Sequence, residues 1–458
     1  MKKFIACVLC LLTFASCFTG CSEKEEVIKG EDVNSSSTTS TTPQQIMPEY
    51  DYKNLEASDA LDLEPKTSYY ISSYNEKEKL VFDDLCQKIS ECEEEISITR
   101  SITEERFKQM MNILLIDMPQ YFHLAPSYSY LVDSNDNVSK VYPTYNLKKE
   151  DYKEILEEFD SSSTSFINSL KEKTQYDAEI EIINQVATNN LSTEFSVSES
   201  TSNGKYKFSG NPTTTLFGSL NLGTLNSASM SKLFTYYCRK LGIESSCIIG
   251  EITDNELKSV YGGDYKSFQS PDKATSLSRN GNKTTVSIDT DSFYHWNIVK
   301  INNKWYHVDL YYQSVFNTYL REKCPSSIGD SFLLFVNMPD SFASNSRLYH
   351  YNESVLGMLP SCDSQVFQYS YRTGAYFPSY NNSQIAVAIN SLISSVASSG
   401  TQSFSIQMAD QNTYDLFLDN FDKLLNQYND NNKQPIRNYE IIENKASYSI
   451  IIHDINYN

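Results

Sequence analysis

Ser227 stands at the start of a helical pattern, Asn226 to Leu241, in which Met230, Phe234, Tyr237 and Leu241 fall on one face. A hydroxyl placed there has two readings. It is a nucleophile if a base takes its proton, because a free hydroxyl is far less acidic than a thiol and a helix dipole alone does not activate it. Otherwise it is an N-cap, a task serine performs well. Candidate bases and an orienting acid follow on two strands, Phe293 to Ile301 and Lys304 to Tyr311, which carry His295, His307 and Asp309 and join at Asn302-Asn303. Asparagine tolerates the left-handed backbone that such a turn needs.

Strand parity decides which of these groups meet. With a two-residue turn Ile301 faces Lys304, and the pairing runs out to Trp296 opposite Asp309. Opposed residues share a face and neighbours alternate, so Tyr294 and Trp296 lie with Asp309 while His295 lies on the other side. Only a bulge reverses this. A one-residue slip that brought His295 in as the base would also turn Trp296 and Asn297 over. His307 shares the Asp309 face, but nothing pairs it with Ser227. His123, His350 and His453 are isolated, with surface or core roles as the default. Cys238 lies about three turns into the helix, too far to be a displaced nucleophile. Cys247, on the apolar strand Ser246 to Ile252, reads as buried and inert. Asp289-Thr290-Asp291 and the turn at 133–137 lack the Gly and terminal Glu of a calcium loop. No metal or cofactor site is indicated.

Three blocks resemble the bacterial transglutaminase-like family, of papain-type architecture: Ser227 to Ile243 with Cys238-Arg239-Lys240-Leu241-Gly242-Ile243, then His295-Trp296-Asn297-Ile298-Val299-Lys300, then Lys304-Trp305-Tyr306-His307-Val308-Asp309. The likeness continues at Leu359-Pro360-Ser361-Cys362 and Tyr371 to Phe377, and weakly at Met118 to Phe122. It implies an α+β fold in which a helix carries a nucleophilic cysteine at its N-terminus against an antiparallel sheet. One strand of that sheet carries His-x-Trp-Asn and the next an aspartate that orients the histidine. Matched position by position, the cysteine falls on Ser227, the histidine on Tyr294 and the aspartate on Asp309, while the family's Gly and Tyr fall on Ser229 and Met230. Tyrosine, with a reference pKa of about 10, is a poor base at neutral pH. The resemblance thus implies a degenerate triad, Ser227, Tyr294 and Asp309, with Trp296 and Met230 lining the cleft. The expected function is non-catalytic binding of an extracellular peptide, cell-wall or glycan ligand. The alternative is an acyl transferase or hydrolase with a site rebuilt around Ser227 or His295.

The rest of the chain positions this core. Lys2 and Lys3 precede an apolar stretch from Phe4 to Phe14 that is too short to span a bilayer and fits an export signal. Phe18-Thr19-Gly20-Cys21 resembles a lipoprotein cleavage box, with Phe14-Ala15-Ser16-Cys17 as a competitor, so residues 1–20 read as a lipoprotein signal and Cys21 as the lipidation site. Residues 21–65, acidic and then rich in Ser and Thr, read as a tether. The expected location is the outer face of the cytoplasmic membrane, held through the N-terminal lipid only. The formal charge of −20 opposes contact with nucleic acid. The thirty-three tyrosines are spread along the chain and mark no sugar platform.

Residues 66–195 read as mainly helical, with helices at 75–93, from Thr103, and from about 149 to 188 with a break near the serines at 161–163. A hairpin is expected from Tyr128 to Tyr142. Residues 196–380 are the expected core, with a mobile loop at 253–291 and a later hairpin from Val366 to Tyr380 turning at Thr373-Gly374. Residues 381–458 read as a small α/β C-terminal domain.

Overall fold

Local sequence signals set the ends of the first elements. The computed structural model describes residues 55–188, 206–221, 226–251, 274–323, 332–345, 350–351, 353–399, 403–431 and 435–457. The expected signal, Cys17, Cys21 and most of the tether lie outside these residues. Helix α1 (Glu76–Ser90) begins at a capping box between Asn75 and Glu78, and the short strand β1 (Ile96–Ser97) follows. Helix α2 (Glu104–Ile116) starts where Thr103 accepts the Arg106 N–H. Strands β2 (Leu124–Val132) and β3 (Val138–Tyr145) form the expected hairpin, whose turn is held by Asp133 accepting the N–H groups of Asn135 and Asn137. Helices α3 (Lys149–Leu170) and α4 (Gln175–Thr188) come next. Their break lies after Leu170 and not at the serines near 161–163. Ser162, Ser163 and Thr164 donate back to the carbonyls of Phe159 and Asp160, so the helix runs through them.

Helix α5 (Ser227–Lys240) and strand β4 (Ser245–Glu251) open the core. Between them Gly242, at φ 78°, lets its own N–H reach the Arg239 carbonyl and the Ile243 N–H reach that of Cys238. A Cβ at Gly242 would stand 2.7 Å from the Leu63 nitrogen, so both the backbone and the space require glycine. Of the loop expected at 253–291, residues 253–273 lie outside the described ones, and the rest holds a hairpin: β5 (Thr275–Asn280) and β6 (Lys283–Ile288) pair around Gly281. Its polar sequence hid the alternation, in which only Thr284, Val286 and Ile288 point inward. β6 pairs in turn with β2, so the sheet β1-β3-β2-β6-β5 draws strands from both sides of the expected boundary near 195.

Strands β7 (Tyr294–Ile301) and β8 (Lys304–Val308) pair as the two-residue turn requires, Ile301 opposite Lys304, with Asn302 and Asn303 at φ 48° and 61°. Helix α6 (Leu310–Lys323) follows at once, and β9 (His350–Tyr351) completes an antiparallel sheet in the order β8-β7-β4-β9. α5 covers one face of this sheet, burying Met230, Phe234 and Leu241 with Val299 and Ile301. The other face buries Tyr294, Trp296 and Ile298 against Tyr312 and Phe316 of α6 and against Phe335.

The tail comprises β10 (Tyr376–Phe377), α7 (Asn382–Ser399), β11 (Phe404–Met408), α8 (Gln411–Asn431), β12 (Ile436–Asn444) and β13 (Ser449–Tyr457). Its sheet runs β10-β11-β13-β12. The hairpin expected at 366–380 does not form. Residues 369–372 make a helical turn that Gly374, at φ 71°, terminates, and β10 pairs in parallel with β11. The fold is α+β, with antiparallel pairing in the central sheet. No helix among the described residues is long and apolar enough to cross a membrane.

Candidate functional site

The N-terminus of α5 is capped by Asn226, not Ser227. The Asn226 side chain accepts the Ser229 N–H and the Ser229 hydroxyl accepts the Asn226 N–H, both at 2.9 Å. Ser227 is therefore the first helical residue. Its Oγ accepts the backbone N–H of His295 at 3.4 Å, a long bond. Three further hydrogen bonds pin the helix to the strand. Ser231 donates to the Trp296 carbonyl at 2.9 Å, and Asn297 Nδ2 donates to the Ser231 carbonyl and to Thr235 Oγ1. Asn297 is thus a strap between sheet and helix. The sequence marked it only as part of a motif.

On the far face of β7, Tyr294 donates its hydroxyl to Asp309, whose two oxygens both lie 2.8 Å away. Asp309 Oδ1 also accepts the N–H of Tyr312 and so caps α6. Both residues are fully buried, and Ser227 is only 6% exposed. Parity is as the turn dictated: Tyr294 and Trp296 share the Asp309 side, and the alternation from Tyr294 puts His295 on the opposite one. His295 is buried, and neither ring nitrogen makes a hydrogen bond of normal geometry, so it does not address Ser227 Oγ. Burial, then the nearby Lys232 ammonium, push its pKa down to about 3, with the Thr290 backbone acting weakly the other way. Such an imidazole is neutral throughout the physiological range and a feeble base.

Residues 164–310 match the transglutaminase-like superfamily. The chain carries a transglutaminase-like domain. The match begins within α3 and ends on the first residue of α6, so it contains α5 and strands β4 to β8 but not the likeness noted near 118–122 or 359–377. No curated protein matches the chain.

Two expected cleft residues lie elsewhere in the transglutaminase-like domain. Met230 is wholly buried in the core under α5. Trp296 is 1% exposed, and its indole N–H donates to His307 Nδ1 at 3.2 Å. Neither lines an open cleft: Met230 packs between α5 and its face of the sheet, and Trp296 lies on the Tyr294 side of β7, which α6 and Phe335 cover. His307, buried as well, faces Asp340 through Nε2 at 2.9 Å, with Cys362 close enough to complete a His-Asp-Cys cluster. The indole fixes the chemistry of that cluster. Nδ1 must accept, so Nε2 carries the proton and donates to Asp340. A metal-bound histidine needs the reverse, with a lone pair toward the ion and the other nitrogen donating outward. The same tautomer leaves no lone pair to take a proton from Cys362, whose thiol burial pushes well above its usual range.

Two further histidines and five cysteines are described at side-chain level. His123 is buried against Tyr152 and bonds the Ile89 carbonyl. His453 is buried beside Asp454. Cys86, Cys92, Cys238, Cys247 and Cys362 are free thiols. Burial raises the pKa of Cys247 to about 11 and that of Cys238 well above 9.

Proposed function

We propose that this protein is a non-catalytic surface module: an exported, lipid-anchored transglutaminase-like protein that holds an extracellular peptide, cell-wall or glycan ligand without transforming it. The observation that carries the reading is the Tyr294–Asp309 pair. The phenol occupies the histidine position, spends its proton on the aspartate, and leaves Ser227 with a backbone N–H as its partner. A nucleophile and its base act as a unit, and here both have been replaced. The burial of Ser227, Tyr294 and Asp309 favours a ligand surface away from the triad positions.

The expected result is that the purified protein shows neither transamidation nor peptide hydrolysis above background and is not labelled by a serine-directed fluorophosphonate. Ser227→Ala is expected to leave all three readouts unchanged and to cost less than about 1 kcal/mol of stability, because Asn226 remains as the cap. Labelling of the wild type that disappears in Ser227→Ala would overturn the inactive reading in favour of a rebuilt serine site. His295→Gln would then show whether His295 is its base.

The export reading rests on Lys2, Lys3, the apolar stretch and Cys21. Cys21→Ser is expected to move the protein from the membrane fraction to the soluble one, and Cys17→Ser to leave it in place. The opposite pattern would assign the lipid to Cys17.

A further inference from the structure

Glu179 lies on α4, wholly buried beneath α5 and β8, where no solvent reaches it. Its one hydrogen-bond partner is Asn337, whose Nδ2 donates to Oε2 at 2.9 Å. The other two polar atoms of the pair, Glu179 Oε1 and Asn337 Oδ1, are both buried and both unsatisfied. Each is an acceptor, and an ionised carboxylate offers neither of them a donor. A proton on Oε1 directed at Asn337 Oδ1 would satisfy both, making the contact a cyclic acid–amide pair with one N–H···O and one O–H···O bond. Buried polar groups in native proteins are almost always paired, which favours the state that leaves no orphan.

We infer that Glu179 is carried as a neutral carboxylic acid paired with Asn337, and that this pair is a pH-released latch between α4 and the segment 332–338. The segment is worth holding. Met338 exchanges two backbone hydrogen bonds with His307, each 2.8 Å, and the Phe335 carbonyl accepts the Asp309 N–H at 2.9 Å. It therefore braces the end of β8 and the aspartate that receives the Tyr294 proton. Asn337 turns into the core at a left-handed φ of 55°, a conformation asparagine tolerates better than most residues.

Burial pushes the Glu179 pKa up to about 8 from the usual 4.5, and the Asn337 amide pulls weakly the other way. No charge from α5, α6 or β8 offsets this burial among the described residues. The titratable groups that face Glu179 are Tyr176 on its own helix, Cys238 on α5 and Tyr306 on β8. Burial raises all three, so they stay neutral through the same range. The sign follows from linkage: the folded-state pKa lies above the unfolded one, so the stabilisation is complete below pH 4.5 and is lost as pH rises through 8.

The test is amide hydrogen exchange, corrected for its intrinsic pH dependence, at His307, Asp309 and Met338. In the wild type, protection is expected to fall by up to about tenfold per pH unit as pH rises toward the Glu179 pKa, the slope of one proton. Glu179→Gln keeps both hydrogen bonds with nothing to titrate, so its profile is expected to be flat. Equal slopes in the two proteins would overturn the inference. Infrared spectra of the wild type provide a check that needs no variant. A protonated-carboxyl band is expected at about pH 6 and its loss by about pH 10, and its absence at the lower pH would sink the proposal.

Discussion

Replacing Arg239 by leucine is expected to lower the unfolding free energy by about 3–5 kcal/mol, the cost of leaving a buried charge without its partner. Arg239 is the last residue but one of the helix that Ser227 begins, and its side chain is 8% exposed. It donates to Asp117 Oδ2 at 2.8 Å, to the Asp117 carbonyl at 2.6 Å, to the Ser245 carbonyl at 2.8 Å and to Ser246 Oγ at 3.1 Å. The wholly buried Asp117 carboxylate also receives the Cys247 N–H and the Ser68 hydroxyl. One ion pair thus ties together α2, α5, β4 and the segment before α1. Leucine fills much of the space but leaves Asp117 charged in a dry interior. The double variant Arg239→Leu with Asp117→Leu is expected to cost less than Arg239→Leu alone, because no charge is then stranded. Urea unfolding followed by circular dichroism reads both. A loss below about 1 kcal/mol in the single variant would mean that water reaches Asp117 and that the network does not anchor these elements.

That network was invisible in the sequence, and the reason is separation: Asp117 and Arg239 stand 122 residues apart. Neither lies in a pattern that names its partner. Glu179 and Asn337, 158 residues apart, pose the same difficulty. What periodicity and turn chemistry govern was legible. Asn302-Asn303 fixed the register of β7 and β8, and the register placed Tyr294 beside Asp309 and His295 away from it. The errors sit where two local readings compete. Asn226 and Ser227 are both good caps, and the one that forms the box with Ser229 wins. Ser162 and Ser163 read as a break because serine competes with the helical backbone, yet their hydroxyls settle on carbonyls one turn back. The β5–β6 hairpin is polar on its outer face, and its alternation becomes visible only once β2 supplies the inner one. The family resemblance implies a cleft lined by Met230 and Trp296. α6 and Phe335 pack over Trp296 on one face of β7 while α5 buries Met230 on the other, and no motif encodes either contact.

Tyr294→Phe is expected to cost about 1.5–3 kcal/mol, the range for a hydrogen bond made to a charged group. The phenol is the side-chain donor that reaches both oxygens of a fully buried carboxylate, and phenylalanine removes it while leaving the ring packed against Trp296 and Tyr311. Asp309 then keeps the Tyr312 N–H at its Oδ1 but has lost the hydroxyl shared between its oxygens. The penalty is electrostatic, so it should shrink when Asp309 is replaced by asparagine, whose neutral amide needs the phenol less. The coupling between the two substitutions in a double-mutant cycle measures the bond itself. Ser227→Ala should fall well below either, since it loses one long hydrogen bond from a backbone amide. This ordering separates a structural triad from a working one. In an enzyme the nucleophile and base govern rate and add little to stability. Here the residue at the histidine position is expected to govern stability, and the residue at the cysteine position almost nothing. Tyr294→Phe within about 0.5 kcal/mol of wild type would show that Asp309 is satisfied without the phenol, and would remove the main support for reading the site as a rebuilt piece of the core.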